Sequence, residues 1–484
     1  MESNNLKGAA FSGILWKLVE KFSLQLFGFA QGIILARLLL PSDYGLLAMA
    51  GLFFAISHLL SDAGFSTALV RKKERTEIDY STVFITNISL SFCFCSLLCI
   101  CSGLIADFYN EPRLRDIVIV SATFLFLGTF LDVQYTRLTI NLKFKEQSVI
   151  NFVATVASGI IAIIMALCGF GVWSLVIPSG LAIPIRFLML WHYQHWWPRL
   201  GFSCDSFRDF FSFGSKIMLT AILKAAYNNI YSLIIGKKFT ATDLGYFTRA
   251  SGYSSLPADT LANTLGSVSY PILSKIQDDE DRLSSAYRRM ISLSSFVLFP
   301  IMFGMAVLAR PLVIVLVTEK WEACIPYLQV LCFAVMLSPI HSLNYNLLQT
   351  KGRADLRLRV ELVQKVLCVI MLFCTVPFGI YAMCLGSVAV SFLSLVVNTY
   401  YTGRIINVGL LKQLADMQPS LLYSATMAAL VWLVIREIPS MTLQLVVGII
   451  VGSVYYFFAA KFTKSEDLSY FVQLLRENLL KKQK

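Results

Sequence analysis

Residues 11–40 read FSGILWKLVEKFSLQLFGFAQGIILARLLL, and most of them are apolar. As one helix, these about 30 residues would be roughly 45 Å long, which exceeds the hydrocarbon core of a bilayer. Lys17, Glu20 and Lys21 nevertheless lie inside the segment, followed by Gln25 and Gln31. Spacings of three and four residues place Lys17, Glu20, Lys21 and Gln31 along one helical face. The stretch therefore predicts a membrane-spanning helix with one polar face.

The charges inside this apolar segment have two interpretations. Charged side chains at membrane depth are costly and normally face a bundle interior or a watery cavity. The polar face then forms one wall of a cavity inside a membrane protein. The alternative is that Lys17 and Lys21 extend to the cytoplasmic lipid headgroups. We favour the cavity because Gln25 and Gln31 continue the polar face deeper into the segment.

The whole chain has the composition of a membrane protein. It is 57% hydrophobic and 14% charged, whereas soluble domains contain about 25% charged residues. The net charge of +12 does not indicate nucleic acid, because the basic residues cluster between apolar segments as topology signals do. Most of the 11 cysteines lie within apolar segments without metal-ligand spacing, which predicts small buried hydrophobic residues rather than a metal site.

The pattern of apolar segments predicts an all-α integral membrane protein. We count about 14 segments of spanning length. One set of alternate loops carries about 26 Lys and Arg residues, and the opposite set carries about eight. The positive-inside rule then places both termini in the cytoplasm, in agreement with an even number of spans.

An internal repeat divides the chain. IILARLLLPSDYGLLAMA (33–50) aligns without gaps with LIIGKKFTATDLGYFTRA (233–250), and Phe170-Gly171 aligns with Phe378-Gly379, placing Lys143 on Lys351. Such repeats are typical of transporters with a site between the halves. The predicted organisation is an N-lobe of six helices (1–200), a C-lobe of six helices (201–412), a helix pair (413–462) and a cytoplasmic amphipathic tail (463–484).

Further polar residues lie inside the predicted spans. Lys216, Lys224 and Asn228 share a face of helix seven, predicted over 210–236. Arg249 lies early in helix eight, where the alternative is a pair with Asp243. Arg186 is another base at helix depth.

Acidic residues inside the spans are fewer than the basic ones. Glu20, Asp62 and Asp259 are candidates to titrate or to bind a cation. Lys365 and Glu361 are spaced as a mutually neutralising helical pair.

Several stretches together resemble a known family. Besides the two repeat copies, these are SDAGFSTALVRKKERTEIDYSTVF (61–84), GFGVWSLV (169–176), YPILSKIQDDEDRLSSAYRRM (270–290) and TEKWEACIPYLQ (318–329). They resemble the Wzx-type polysaccharide flippases of the multidrug/oligosaccharidyl-lipid/polysaccharide (MOP) exporter superfamily, in particular the colanic- and teichuronic-acid exporter-like branch. The resemblance covers about residues 8–415.

The resemblance implies a fold and a substrate. The fold has 14 transmembrane helices in two six-helix lobes that form a V around a cationic cavity, plus a C-terminal helix pair. The substrate is an undecaprenyl-pyrophosphate-linked oligosaccharide, moved by alternating access from the cytoplasmic to the periplasmic leaflet of the bacterial inner membrane. Membrane lipids, and in some systems a polymerase and chain-length machinery, are the implied partners.

The resemblance, together with the spacing, also suggests roles for residues. The pyrophosphate would be held by Lys17, Lys21, Lys216 and Lys224, with Arg249 as a weaker candidate. Sugar hydroxyls would meet Gln25, Gln31 and Asn228. Proton or sodium coupling would use Glu20, Asp62 or Asp259, and no other cofactor is expected.

Three other functions compete with this one. A multidrug exporter of the same superfamily would favour intramembrane acids, whereas bases outnumber acids here. A polysaccharide polymerase or ligase needs a sizeable outer loop with catalytic side chains, and the predicted outer loops are short, so we do not expect an enzyme. A scaffold of a glycan assembly complex would tolerate loss of the intramembrane lysines.

Overall fold

The structure is a computed structural model that describes residues 2–199, 201–470 and 473, with the backbone alone at 2–12, 14, 15 and 18. Over these residues every regular element is helical, which confirms the predicted all-α class. Contacts divide the chain into two compact units, residues 1–245 and 246–484. The organisation with boundaries at 200 and 412 stays a prediction.

Unit 1 contains ten helices and the start of an eleventh within the described residues. They are α1 Glu2–Leu38, α2 Pro41–Asp62, α3 Phe65–Arg71, α4 Glu77–Tyr109, α5 Arg113–Thr129, α6 Asp132–Ile140, α7 Phe144–Leu167, α8 Trp173–Gln194, α9 Cys204–Asn228, α10 Ile230–Lys238 and α11 Ala241–Lys275. Inside the unit α1 packs on α7, α7 on α8, α4 on α5, and α2 on both α4 and α5.

Unit 2 continues from α11 with eight further α-helices in its described part. They are α12 Glu280–Val307, α13 Ala309–Val317, α14 Ile325–Val335, α15 Ser338–Thr350, α16 Ala354–Thr375, α17 Ile380–Ile406, α18 Leu410–Arg436 and α19 Met441–Phe462. Two short 3-10 helices span Glu319–Cys324 and Val376–Phe378. Inside this unit α12 and α19 pack on α18, and α14 and α16 pack on α17.

Among the described residues, 11 helical segments are long and apolar enough to cross a membrane, and the bent pair α9–α10 raises this to 12. Two predicted spans, 11–38 and 241–268, fall on α1 and α11, which are not among them. Both helices carry charged and polar residues in their apolar sequence, which lowers their hydropathy. The total of 14 spans stays a prediction.

The predicted helix seven, residues 210–236, is not straight. It bends by 44° between α9 and α10. The Asn229 side-chain amide donates to the Ala225 carbonyl oxygen at 2.8 Å. A side chain that bonds the backbone four residues earlier competes with the helical ladder, and such competition bends helices. The bend leaves Asn228 as the last residue of α9.

The first repeat appears in the local structure of both copies. The α1–α2 break and the α10–α11 break fall at corresponding residues. Asp43 Oδ2 accepts from the Leu40 backbone N–H at 3.0 Å, and Asp243 Oδ2 accepts from the Thr240 backbone N–H at 3.2 Å. In each copy a carboxylate satisfies a donor at the helix start that has no intrahelical partner.

The glycines of this repeat touch the other copy. A Cβ atom on Gly45 would lie 1.7 Å from the Ala241 carbonyl oxygen, and one on Gly245 would lie 1.9 Å from the Pro41 carbonyl oxygen. Both contacts lie inside unit 1. Only glycine permits such a close approach of two backbones.

The second repeat needs a correction of register. Leu142 (φ 55°) and Gly352 (φ 68°) occupy corresponding turns, and Lys143 and Arg353 then cap α7 and α16. Lys143 therefore corresponds to Arg353, and the gap-free alignment with Lys351 was wrong. The cause is helix length, because α7 has 24 residues and α16 has 22.

Only the start of the predicted amphipathic tail falls in the described part. Arg289 forms an ion pair with Asp467 at 3.3 Å, and the Ser292 hydroxyl donates to the same carboxylate at 2.6 Å. Leu468 packs against an apolar cluster that includes Phe296. Residues 471, 472 and 474–484 lie outside the described residues, so the amphipathic surface stays a prediction.

Candidate functional site

Glu20 is the centre of a polar network between α1 and α7. Lys17 Nζ lies 2.9 Å from Glu20 Oε2, to which the Ser148 hydroxyl also donates at 2.7 Å. The Asn151 amide donates to Glu20 Oε1 at 2.8 Å. The Glu20 side chain is 9% exposed and that of Lys17 is 40% exposed. A carboxylate this buried is tolerated because both of its oxygens accept hydrogen bonds and a cation lies beside it.

The network continues to a third helix. The Tyr135 hydroxyl, on α6, donates to Asn151 Oδ1 at 3.0 Å. The line from Lys17 to Tyr135 thus joins α1, α7 and α6 through side chains alone. Of the residues on the polar face predicted for α1, Glu20 is engaged by α7.

The other predicted residues of α1 differ in their surroundings. The Lys21 side chain is exposed and forms no ion pair within the described part of the chain. The Gln25 side chain is half-buried. A Cβ atom on Gly159 would lie 2.9 Å from Gln31 Oε1. Gln31 therefore lies in the packing between α1 and α7.

The predicted residues of α9 are open. Lys216, Lys224 and Asn228 are all exposed. Among the residues that the structure describes, neither lysine forms an ion pair. Together with Lys21, the predicted spans of unit 1 thus present three lysines that no carboxylate neutralises within the described ranges.

The predicted residues of α11 lie in unit 2. The Arg249 guanidinium lies 5.2 Å from the Trp321 ring centroid and 5.5 Å from that of Tyr253. Such stacking holds a cation at an aromatic face. Asp259 is exposed on the same helix.

One predicted pair in unit 2 is confirmed. Lys365 Nζ lies 2.9 Å from Glu361 Oε1, one helical turn away on α16. Because the two charges neutralise each other, neither residue is a candidate for the site.

Asp62 is held by its neighbours at the end of α2. Its Oδ1 atom accepts from the Ser66 hydroxyl at 2.5 Å and from the Asn87 amide at 3.4 Å. Asp62 also lies near the carboxyl group of Asp132. The sequence had not singled out Asp132.

Asp132 lines a cavity of about 570 Å³ inside unit 1. The cavity lies between α2, α5, α6 and α8. Its polar lining residues are His58, Ser61, Ser121, Thr129, Asp132, Tyr135, Ser179 and Arg186, and the rings of Phe54 and Phe124 also line it. Tyr135 thus joins this polar cavity, as we call it, to the Glu20 network.

Sequence reasoning recognised Arg186 as an intramembrane base but missed His58, Asp132 and Tyr135. A usable signal was present, since Asp132 is an acid within an apolar segment and Tyr135 follows at helical spacing.

Comparison with known families settles the family. The model of polysaccharide biosynthesis proteins matches residues 34–326, which is more than half of the chain. The chain belongs to the polysaccharide biosynthesis protein family. The match covers α2–α12 completely, including the polar cavity and all of α9.

Two relatives match this chain over most of their own length. The lipopolysaccharide biosynthesis protein WzxC of Escherichia coli (strain K12) is 24% identical over 359 residues, 73% of this chain and 72% of the relative. The teichuronic acid biosynthesis protein TuaB of Bacillus subtilis (strain 168) is 25% identical over 349 residues, 71% of this chain and 72% of the relative.

A solved structure shares the fold. The lipid II flippase MurJ, in an inward closed conformation, matches with a TM-score of 0.77 over 93% of this chain and 98% of that chain. The sequence identity is 14%, so the likeness concerns the fold. It agrees with the multi-helix exporter fold that the resemblance implied.

Proposed function

We propose that this polysaccharide biosynthesis protein is a flippase for a lipid-linked glycan. It moves an undecaprenyl-pyrophosphate-linked oligosaccharide from the cytoplasmic to the periplasmic leaflet of the bacterial inner membrane, with both termini in the cytoplasm. Family membership and the likeness of fold to a lipid II flippase support this proposal.

The observation that carries it is a set of three lysines within the predicted spans that form no ion pair among the described residues, namely Lys21, Lys216 and Lys224. A pyrophosphate is an anion, and moving it through hydrocarbon without partners would cost many kcal/mol. Lysine ammonium groups that no protein carboxylate neutralises are suited to offset this cost. Lys17, which is 40% exposed, joins them at the edge of the Glu20 network.

The remaining roles follow from position. Gln25 on α1 and Asn228 at the end of α9 would meet sugar hydroxyls, with Arg249 as a further anion contact. Glu20 is the leading candidate for proton or sodium coupling, because protonation or cation binding there would change its bond to Lys17. A polymerase and chain-length machinery are proposed to take over the flipped glycan.

The test is transbilayer movement of a lipid-linked oligosaccharide in liposomes, scored with an impermeant sugar-binding probe. We expect the double variant Lys17→Ala, Lys21→Ala to slow flipping about 100-fold, because two charge-assisted contacts are lost. The matched control is Arg113→Gln, Arg115→Gln, which also removes two cations, at exposed positions at the start of α5.

Each outcome separates the candidate functions. Unchanged flipping in the lysine variant would refute the pyrophosphate site. No flipping by the unaltered protein, with or without ion gradients, would favour a scaffold.

A multidrug exporter is the second candidate, and the acids Glu20, Asp62 and Asp132 in unit 1 favour it. Resistance to organic cations in expressing cells, lost in Glu20→Gln and Asp132→Asn, would support that function instead.

A further inference from the structure

The polar cavity is lined by an acidic and a basic side chain that do not pair with each other among the described residues. Asp132 and Arg186 both line it, yet in the described part of the chain neither forms an ion pair. The Arg186 Nε–H is buried and has no hydrogen-bond partner among the described residues. Unpaired charges inside a membrane protein are costly and mark functional sites. The cavity is therefore incomplete without a ligand that meets both charges.

The other wall residues restrict the chemistry of that ligand. The Tyr135 hydroxyl donates to Asn151, so its oxygen is left to accept a hydrogen bond. Ser61 and Ser179 use their hydroxyl protons on their own helices and likewise retain acceptor capacity. With the Asp132 carboxylate, this wall accepts hydrogen bonds from several hydroxyl groups at once.

Arg186 supplies the opposite preference. A guanidinium matches a planar carboxylate with two parallel hydrogen bonds. A phosphate dianion is less suitable, because the Asp132 carboxyl group shares the cavity. The rings of Phe54 and Phe124 give the apolar faces against which the C–H face of a sugar packs.

We propose that the polar cavity binds an acidic sugar of the glycan, with its carboxylate on Arg186 and its ring hydroxyls on Asp132 and Tyr135. A volume of about 570 Å³ lies within the range of small-molecule sites, roughly 300–1,000 Å³. It admits part of a repeat unit. The inference rests on the proposed function, because it assigns a ligand from the glycan that the flippase carries.

The test measures binding without transport. The full-length protein in lipid nanodiscs is titrated with methyl glycosides of D-glucuronate, D-galacturonate and D-mannuronate and with the corresponding neutral hexosides, by saturation-transfer NMR. We expect at least one uronide to bind about tenfold more tightly than its neutral counterpart, which corresponds to one charge-assisted contact.

Variants assign the preference to residues. Arg186→Gln is expected to abolish the uronide preference, whereas Asp132→Asn weakens uronide and hexoside by a similar factor. The matched controls are Arg115→Gln and Asp116→Asn, which make the same changes at exposed positions on α5 and leave binding unaltered. Ser179→Leu narrows the cavity without removing a charge and weakens both ligands, which keeps the test decisive where Arg186→Gln fails to fold.

The outcomes are distinct from those of the liposome test. Equal binding of all uronides and hexosides, or a uronide preference that survives Arg186→Gln, would overturn the acidic-sugar site. Uronide binding in a protein that flips nothing would leave this site standing and remove the flippase proposal. Flipping without a uronide preference would do the reverse.

Discussion

Tyr135 of unit 1 and Tyr345 of unit 2 precede the turn residues Leu142 and Gly352 by the same number of positions. Each tyrosine donates its hydroxyl to a side-chain amide on the next helix. Tyr135 donates to Asn151 on α7, and Tyr345 donates to Gln364 on α16. The two halves of the chain thus use one device at corresponding places.

The two networks then diverge in charge. Asn151 donates to the Glu20 carboxylate, whereas Gln364 donates to the Asn398 amide oxygen at 3.1 Å. Asn398 in turn contacts a ring nitrogen of His341 at 2.9 Å, in a buried surrounding. The Tyr135 network therefore contains a charged carboxylate beside a cavity. The Tyr345 network contains only neutral side chains, packed between helices. Corresponding positions thus support a charged network in one unit and a neutral network in the other.

Exchanging a charged and a neutral side chain between the two networks should give the largest difference in unfolding free energy. Gln364→Glu places a carboxylate in the buried neutral network, where an uncompensated charge costs about 3–5 kcal/mol of unfolding free energy. Glu20→Gln keeps the shape, and its loss is about 1–2 kcal/mol, because the half-exposed Lys17 can turn towards water. Denaturant unfolding of both purified variants in the same detergent measures the difference. Equal losses would contradict the distinction between the networks.

Removing the two tyrosine hydroxyls should give a smaller difference. Tyr345→Phe leaves the Gln364 amide oxygen buried without its donor, at a cost of about 1–3 kcal/mol. Tyr135→Phe costs less, about 0.5–1.5 kcal/mol, because Tyr135 lines the polar cavity, where water can replace its hydroxyl. Thermal unfolding of the pair is the measurement, and a larger loss for Tyr135→Phe would reverse the assignment.

The smallest expected effect on stability comes from replacing one glycine in the lining of each of two cavities. Gly128 lines the polar cavity, and Gly304 lines a cavity of about 620 Å³ in unit 2, surrounded mainly by apolar side chains of α12, α18 and α19. A Cβ atom on Gly128 meets nothing within 4 Å, and one on Gly304 lies 3.8 Å from Met427 Cε. Both Gly→Ala changes should therefore stabilise their helices by about 0.5–1 kcal/mol.

The two variants should differ in ligand binding. Gly128→Ala adds a methyl group to the polar cavity and is expected to weaken uronide binding a few-fold, whereas Gly304→Ala leaves it unaltered. Gly103→Ala is the control, because a Cβ atom there also meets nothing within 4 Å and Gly103 lines neither cavity. Weaker binding in all three variants would show a general effect of glycine replacement.

Local sequence signals predicted much of the fold. Apolar length gave the helices, and a spacing of four residues gave the Lys365–Glu361 pair. The bend at Asn229 was not predicted, because it depends on one side chain competing for a backbone oxygen.

The site was harder to predict, since its partners come from distant segments. Glu20 meets Asn151, which lies 131 residues later, and no spacing rule joins them. The polar cavity depends on which face each of four helices turns towards the others. The sequence does not show this orientation, so it gives no sign that Asp132 and Arg186 line one cavity.

The backbone contacts of Gly45 and Gly245 have a consequence for how this gene can change. Duplicated segments normally diverge independently, and the neighbours of these glycines have done so, with Tyr44 in one copy and Leu244 in the other. The two glycines cannot, because a side chain on either one collides with the backbone of the opposite copy. Repair by a second change within the same copy is not available. Saturation mutagenesis should therefore find that the codons of Gly45 and Gly245 tolerate no other residue, although they lie far apart in the gene.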